Sequence, residues 1–204
     1  MKKIEVNNCE EVFSSMRLII ENLKEVIDKL DKEAIKAMLQ KTIDGNRVFV
    51  MGAGRSGLVA KAFAMRLMQL GFSVYVVGET TTPAVLPSDV VIAISRSGET
   101  RTITDLGKAA KDIGSTLLTI TSKKDSTLSK ISDITLIIPS KMKNDSEEAN
   151  YLERHMLSDY KKMFPLGTSF EITALVFLDS VISQLIMLTG TSEDELKSRY
   201  TNIE

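Results

Sequence analysis

A strand, a glycine turn and a helix start are written without interruption in Val48-Phe49-Val50-Met51-Gly52-Ala53-Gly54-Arg55-Ser56-Gly57. The four apolar residues are too few for a helix and leave no polar face, as expected of a strand covered on both sides. From 56 to 70 apolar residues recur at helical spacing until Gly71 ends the run. Further apolar runs follow at 74–77, 90–94, 116–120 and 134–138, with a second helical pattern at 100–113 stopped by Gly114. Wholly apolar strands alternating with helices predict an α/β fold: a doubly wound, five-stranded parallel sheet flanked by helices. The order that suits it is flavodoxin-like, 2-1-3-4-5, although spacing does not fix the order. Ligands of such sheets bind at the switch point, between the loops after the first and third strands.

Outward from this unit the chain is helical. Val12, Met16, Ile19, Ile20, Leu23, Val26, Ile27 and Leu30 mark one helix, and Ile35, Met38, Leu39 and Ile43 a second that stops at Gly45. Beyond the fifth strand come a polar stretch at 141–150, a helical pattern at 151–162 and a long apolar helix from about 168. No repeat or linker interrupts the chain. The expected organisation is one domain over 1–204, with 1–45 as N-terminal helices and 165–204 as C-terminal helices.

Composition narrows the partners. Lys and Arg number 26 against 27 Asp and Glu, a net charge of −1, so no basic footprint for nucleic acid or an anionic membrane is expected. The single cysteine, Cys9, has no intrachain partner, and no Cys/His cluster has metal-ligand spacing, so neither disulfide nor metal is expected. The N-terminus lacks the apolar core of a signal peptide. The stretch 172–191 carries Asp179, Ser180, Ser183 and Gln184 and reads as a buried helix, not a membrane span. A cytoplasmic protein is expected.

Three loops carry chemistry. Gly52-Ala53-Gly54-Arg55-Ser56-Gly57 follows a strand and opens a helix, where backbone amides and the helix dipole meet an anion. Its spacing also fits a dinucleotide fingerprint, with Glu79 near the position of a ribose-binding acid; a plain tight turn is the bland alternative. Ser95-Arg96-Ser97-Gly98-Glu99-Thr100 repeats the arrangement after the third strand with three hydroxyls, more than a helix cap needs. Two separate phosphate cradles suit a small phosphorylated ligand better than a dinucleotide. Pro165-Leu166-Gly167-Thr168-Ser169-Phe170-Glu171 opens the apolar helix. Thr168 and Glu171 form a capping-box pattern, and equally Glu171 is a partly desolvated carboxylate suited to proton abstraction; spacing leaves both open. Weaker features are the Glu79–Ala84 turn with Thr82, and His155, the sole imidazole, in a polar stretch that reads as surface.

In this order and at these separations, the three motifs resemble the sugar isomerase (SIS) domain, and from Val12 to the C-terminus the chain resembles the 3-hexulose-6-phosphate isomerases. The resemblance implies a sugar phosphate gripped by Ser95, Ser97 and Thr100. Gly54, Arg55, Ser56 and Gly98 complete the substrate site, and Glu171 is the base of an isomerisation through an enediol. It implies no cofactor, and it implies a homo-oligomer, with a tetramer as the expected assembly. Arg96 stands where relatives commonly carry a small residue, and Tyr200 where a histidine is expected; Arg96, Thr82, His155 and Tyr200 are therefore secondary candidates. The expected reaction interconverts D-arabino-3-hexulose 6-phosphate and fructose 6-phosphate. The alternatives are another sugar-phosphate isomerase, such as one acting on arabinose 5-phosphate, and a non-catalytic sugar-phosphate-binding regulatory module.

Overall fold

Strands of alternating allegiance build the sheet. In the computed structural model, which describes residues 8–140 and 168–200, β1 (Val48–Gly52) turns Val48 and Val50 to one face and Phe49 and Met51 to the other, all buried. The strand β3 (Val90–Ile94) divides the same way, with Val90, Ile92 and Ile94 on the first face and Val91 and Ala93 on the second. With β2 (Val74–Val76), β4 (Thr116–Thr121) and β5 (Ile134–Ile137) they form a five-stranded sheet in the order β2-β1-β3-β4-β5. Every pairing is parallel, with Val48 level with Val74 and Val90.

Helices cover both faces. On the first lie α1 (Glu10–Ile27), α2 (Lys32–Asp44) and α3 (Arg55–Gln69), and on the second α4 (Arg101–Ile113) and the short α5 (Thr127–Ile131). The long α6 (Thr168–Thr189) packs against α3 on the first face, and α7 (Glu193–Ser198) follows it. Val59, Ala60, Phe63, Ala64 and Leu67 form the stripe that α3 lays on the sheet. Phe63, 1% exposed, is the largest of them, and burial of a side chain of that size contributes about 2–3 kcal/mol.

The helix limits match the sequence expectations closely, with one different cause. Gly45 does end α2, but at φ −66° it is not a left-handed cap. A side chain there would stand 2.6 Å from Val90 Cγ2, so glycine is needed for the close passage of the chain beneath β3. One element, the short α5, has no counterpart among the sequence expectations, while α7 falls within the C-terminal helices expected over 165–204. The patterns at 141–150 and 151–162, and His155 with them, lie outside the described residues.

α6 is long and apolar enough to cross a membrane by length and composition, but Phe170, Ala174, Phe177, Leu178, Val181 and Leu185 are packed into the core. Its outer flank is different. Between α1, α2 and α6 runs an apolar groove of about 950 Å³, lined by residues that include Leu23, Ile27, Ile43, Val176 and Leu188. α1 buries only Val26 of its 18 residues and leaves Val12, Phe13, Met16 and Ile20 about half exposed.

Candidate functional site

Both loops at the switch point end in uncapped helices. β1 leaves the sheet at Gly52, and Ala53 and Gly54 (φ +56°) carry the chain into α3. The turn is closed by two glycines in contact: a Cβ on Gly57 would lie 2.7 Å from the Gly52 carbonyl oxygen. This closeness buries Ser56 in the first turn of α3. After β3, Ser95 and Thr100 approach each other with their hydroxyls 3.3 Å apart, and Thr100 is the N-cap of α4 without a capping side-chain bond. By contrast Asp31, Ser126 and Ser192 cap α2, α5 and α7 with their side chains. The first amides of α3 and α4 thus have no side-chain acceptor and stay open to an anion.

Between them lies a cavity of about 190 Å³ lined by Ala53, Ser56, Ile94, Ser95, Arg96, Ser97, Thr100 and Glu171. Glu171 reaches it from the first turn of α6 and is 8% exposed. Ser56 Oγ donates to its Oε1 over a long 3.5 Å, while Oε2 is buried with no hydrogen-bond partner. Arg55 Nε stands 3.7 Å from Oε2, an ion-pair contact from a side chain that is more than half exposed. A buried carboxylate oxygen without a donor costs about 1–3 kcal/mol, a deficit that a bound molecule can make good. α6 begins at Thr168, and the hydrogen bond described for the Glu171 side chain runs across the site to Ser56.

The hydroxyl loop is internally ordered. Gly98 N–H donates to Ser95 Oγ at 3.2 Å and Glu99 N–H to Ser97 Oγ at 3.2 Å. The Glu99 carboxylate accepts from the Thr127 hydroxyl and amide, and these bonds hold it below the usual carboxylate range. Gly98, at φ +64°, lies behind the cavity against Ser126 and does not line it.

Other candidates are placed elsewhere. Thr82 Oγ1 donates to the Val76 carbonyl at 2.5 Å and is tied into the turn after β2. Glu79, the ribose-acid candidate, is paired with Lys61 at 2.6 Å. Tyr200 accepts from Arg66 Nη1 at 3.2 Å near the last turn of α3, roughly 15 Å along that helix from Ser56, so it does not reach its own chain's cavity. The sequence reading overlooked the contact of Arg55 with Glu171, as well as Thr121, Ser122 and Thr127 behind the hydroxyl loop. The hydroxyls that close β4, like those that close β3, were the available signal. Among the described residues no group of three His, Cys, Asp or Glu side chains is placed to hold a metal.

A family model described as the SIS domain matches residues 42–156. The chain is similar to an uncharacterized protein of Archaeoglobus fulgidus, 42% identical over 93% of this chain and 98% of that one. It is also similar to the 3-hexulose-6-phosphate isomerase of Methanocaldococcus jannaschii, 35% identical over 84% of this chain and 85% of that one. Among solved structures, a Methanococcus jannaschii protein whose structure inferred a molecular function of 3-hexulose-6-phosphate isomerase matches with a TM-score of 0.77. It is 31% identical, with 94% of this chain and 99% of that one covered.

Proposed function

The chain belongs to the SIS-domain family, and we propose that within it the protein is a cofactor-independent isomerase. It interconverts D-arabino-3-hexulose 6-phosphate and fructose 6-phosphate. The observation that carries the reading is Glu171 Oε2: a buried carboxylate oxygen that accepts no hydrogen bond, at a cavity also lined by the hydroxyls of Ser95, Ser97 and Thr100. Likeness to the isomerase of Methanocaldococcus jannaschii along most of both chains supports the choice of sugar.

In this reading Ser95, Ser97 and Thr100 take the phosphate with the first amides of α4, whose dipole favours the dianion. That fixes the far end of the sugar and presents its ketone end to Glu171. Glu171 removes the proton from the carbon beside the ketone, the electron pair forms the enediolate double bond, and the carbonyl oxygen takes up the charge. The Glu171 carboxyl exchanges its proton with solvent and delivers one to the former carbonyl carbon, while a hydroxyl proton passes between the two oxygens, so no oxidant or reductant is consumed. A base of this kind contributes about two to four orders of magnitude in rate. Arg55 and the first amides of α3 supply positive potential for the enediolate. Incubating the protein with 3-hexulose 6-phosphate, fructose 6-phosphate and arabinose 5-phosphate in deuterium oxide, followed by NMR, tests the assignment. The hexulose and fructose esters should interconvert with deuterium entering beside the carbonyl; turnover of the arabinose ester alone would replace this reading.

The same proposal includes assembly. An 18-residue helix that buries one side chain lacks the packing that sustains helices in water. A second copy, related by a two-fold axis, brings its own α1 to the groove of the first and covers both exposed stripes. The protein is therefore read as a homo-oligomer built on the α1–α2–α6 face.

A further inference from the structure

The hydroxyl loop is gripped from behind by a segment with no part in the chemistry above. Three attachments join the loop to the residues from the end of β4 to the first turn of α5. The Arg96 carbonyl accepts from Thr121 Oγ1 at 3.0 Å, Ser122 N–H at 3.0 Å and Ser122 Oγ at 2.9 Å. Gly98 presses against Ser126 so closely that a Cβ would overlap the Ser126 hydroxyl, and its carbonyl accepts from Leu128 N–H at 3.1 Å. The third attachment is ionic in character: Glu99 Oε1 accepts from Thr127 N–H at 2.8 Å and Oε2 from Thr127 Oγ1 at 2.7 Å.

Glu99 is an unexpected residue for a loop that meets an anion. It lies between Gly98 and Thr100, so its carboxylate, left free, would be within reach of the phosphate and would oppose it. Thr127 uses both oxygens and draws them to the first turn of α5, on the side away from the cavity, and Glu99 is absent from the cavity wall. The carboxylate is itself well placed there, beside an amide at a helix start.

We propose that Glu99 and Thr127 form a clamp that sets the shape of the hydroxyl loop and holds a negative charge off its anion site, making Glu99 a positioning residue for phosphate recognition. The inference rests on the functional reading above, in which this loop takes the phosphate. It separates two effects that a purely mechanical brace would not separate. Removing the Thr127 hydroxyl leaves Glu99 Oε2 unheld, with only the backbone amide on Oε1, and lets negative charge move toward the ligand, whereas removing the charge from Glu99 does not.

Calorimetric titration with fructose 6-phosphate and with inorganic phosphate tests it on the wild type, Glu99→Gln, Thr127→Val, Thr127→Ala and the double variant Glu99→Gln/Thr127→Val. Circular dichroism checks that each is folded, and Thr127→Ala serves if Thr127→Val is not. Loss of the hydroxyl hold in the Thr127 variants should weaken both ligands about three- to fivefold. Glu99→Gln, which keeps an acceptor for the Thr127 amide, should stay within about twofold. The double variant should regain most of the affinity that Thr127→Val loses, although it has fewer hydrogen bonds than either parent. A double variant no better than Thr127→Val, or Thr127 variants that bind like the wild type, would overturn the clamp while leaving the functional reading intact. A wild type that binds neither ligand would overturn both.

Discussion

Glu171 and Ser56, 115 residues apart in the chain, meet across the switch point, the carboxylate on the first turn of α6 and the hydroxyl on the first turn of α3. Their 3.5 Å separation is long for a hydrogen bond, so Ser56 orients the carboxylate without saturating it. With Arg55 at 3.7 Å from the other oxygen, the carboxylate is positioned and charge-compensated yet keeps lone pairs for a substrate.

Glu171→Gln should therefore abolish turnover, by at least about two orders of magnitude, with little change in fold or in affinity for fructose 6-phosphate. Gln preserves size and can still accept from Ser56, but it does not take up the proton. Deuterium exchange into bound ketose, followed by NMR, checks the outcome. Turnover at the wild-type rate would remove Glu171 as the base.

Ser97→Ala and Thr100→Ala should each weaken fructose 6-phosphate and inorganic phosphate in parallel, by about ten- to a hundredfold, since a hydrogen bond to a charged group is worth about 1.5–3 kcal/mol. NAD should bind neither variant nor the wild type. Titration calorimetry measures all three ligands, and an effect on the sugar ester without one on phosphate would assign these hydroxyls to the sugar ring.

Asp89 should govern part of the acid sensitivity. Burial pushes its carboxyl up, but the bonds from Arg47 and the Leu86 amide and the Arg47 charge outweigh this and leave it below the ordinary aspartate value. A carboxyl lowered on folding stabilises the protein above its unfolded value, about 3.9, and that contribution is lost as pH falls through the folded value. Asp89→Asn should lower stability at neutral pH, because Arg47 loses its carboxylate partner and keeps only the Ala84 carbonyl. It should also lose less stability than the wild type between about pH 5 and 3. Urea melts across this range give both numbers, and parallel acid limbs would count against the assignment.

Sedimentation equilibrium at micromolar protein should give a multiple of 22.6 kDa. Ile27→Glu and Val176→Glu, which place charges in the α1–α2–α6 groove, should shift the distribution toward the single chain. A wild type that sediments at 22.6 kDa would remove the assembly from the proposal.

Much of this was legible beforehand because buried parallel strands advertise themselves. The runs 48–51, 74–77, 90–94, 116–120 and 134–138 are each within one residue of the strands formed, and both loops at the switch point were apparent from glycines and hydroxyls crowded after a strand. What stayed hidden depends on partners far away in sequence. α5 has five residues, too few to display a helical period, and it is held by its own Ser126 cap and by Glu99, 28 residues before Thr127. Tyr200 shows the same limit: its neighbour Arg66 is 134 residues away, and local spacing gave no sign that Tyr200 lies at the far end of α3.

The two aspartates that each stand one residue before a strand, Asp89 before β3 and Asp133 before β5, staple the edge of the sheet opposite the cavity. Asp89 ties Arg47, which precedes β1, to the Leu86 amide, while Asp133 joins Lys111 to the Leu117 amide on β4. A strand of five residues separates that edge from the cavity by about 16 Å. The molecule thus fastens the starts of its strands at the pole opposite the cavity loops. The ligand-facing loops are free to diverge toward other phosphorylated compounds while the rear fastening keeps the scaffold standing.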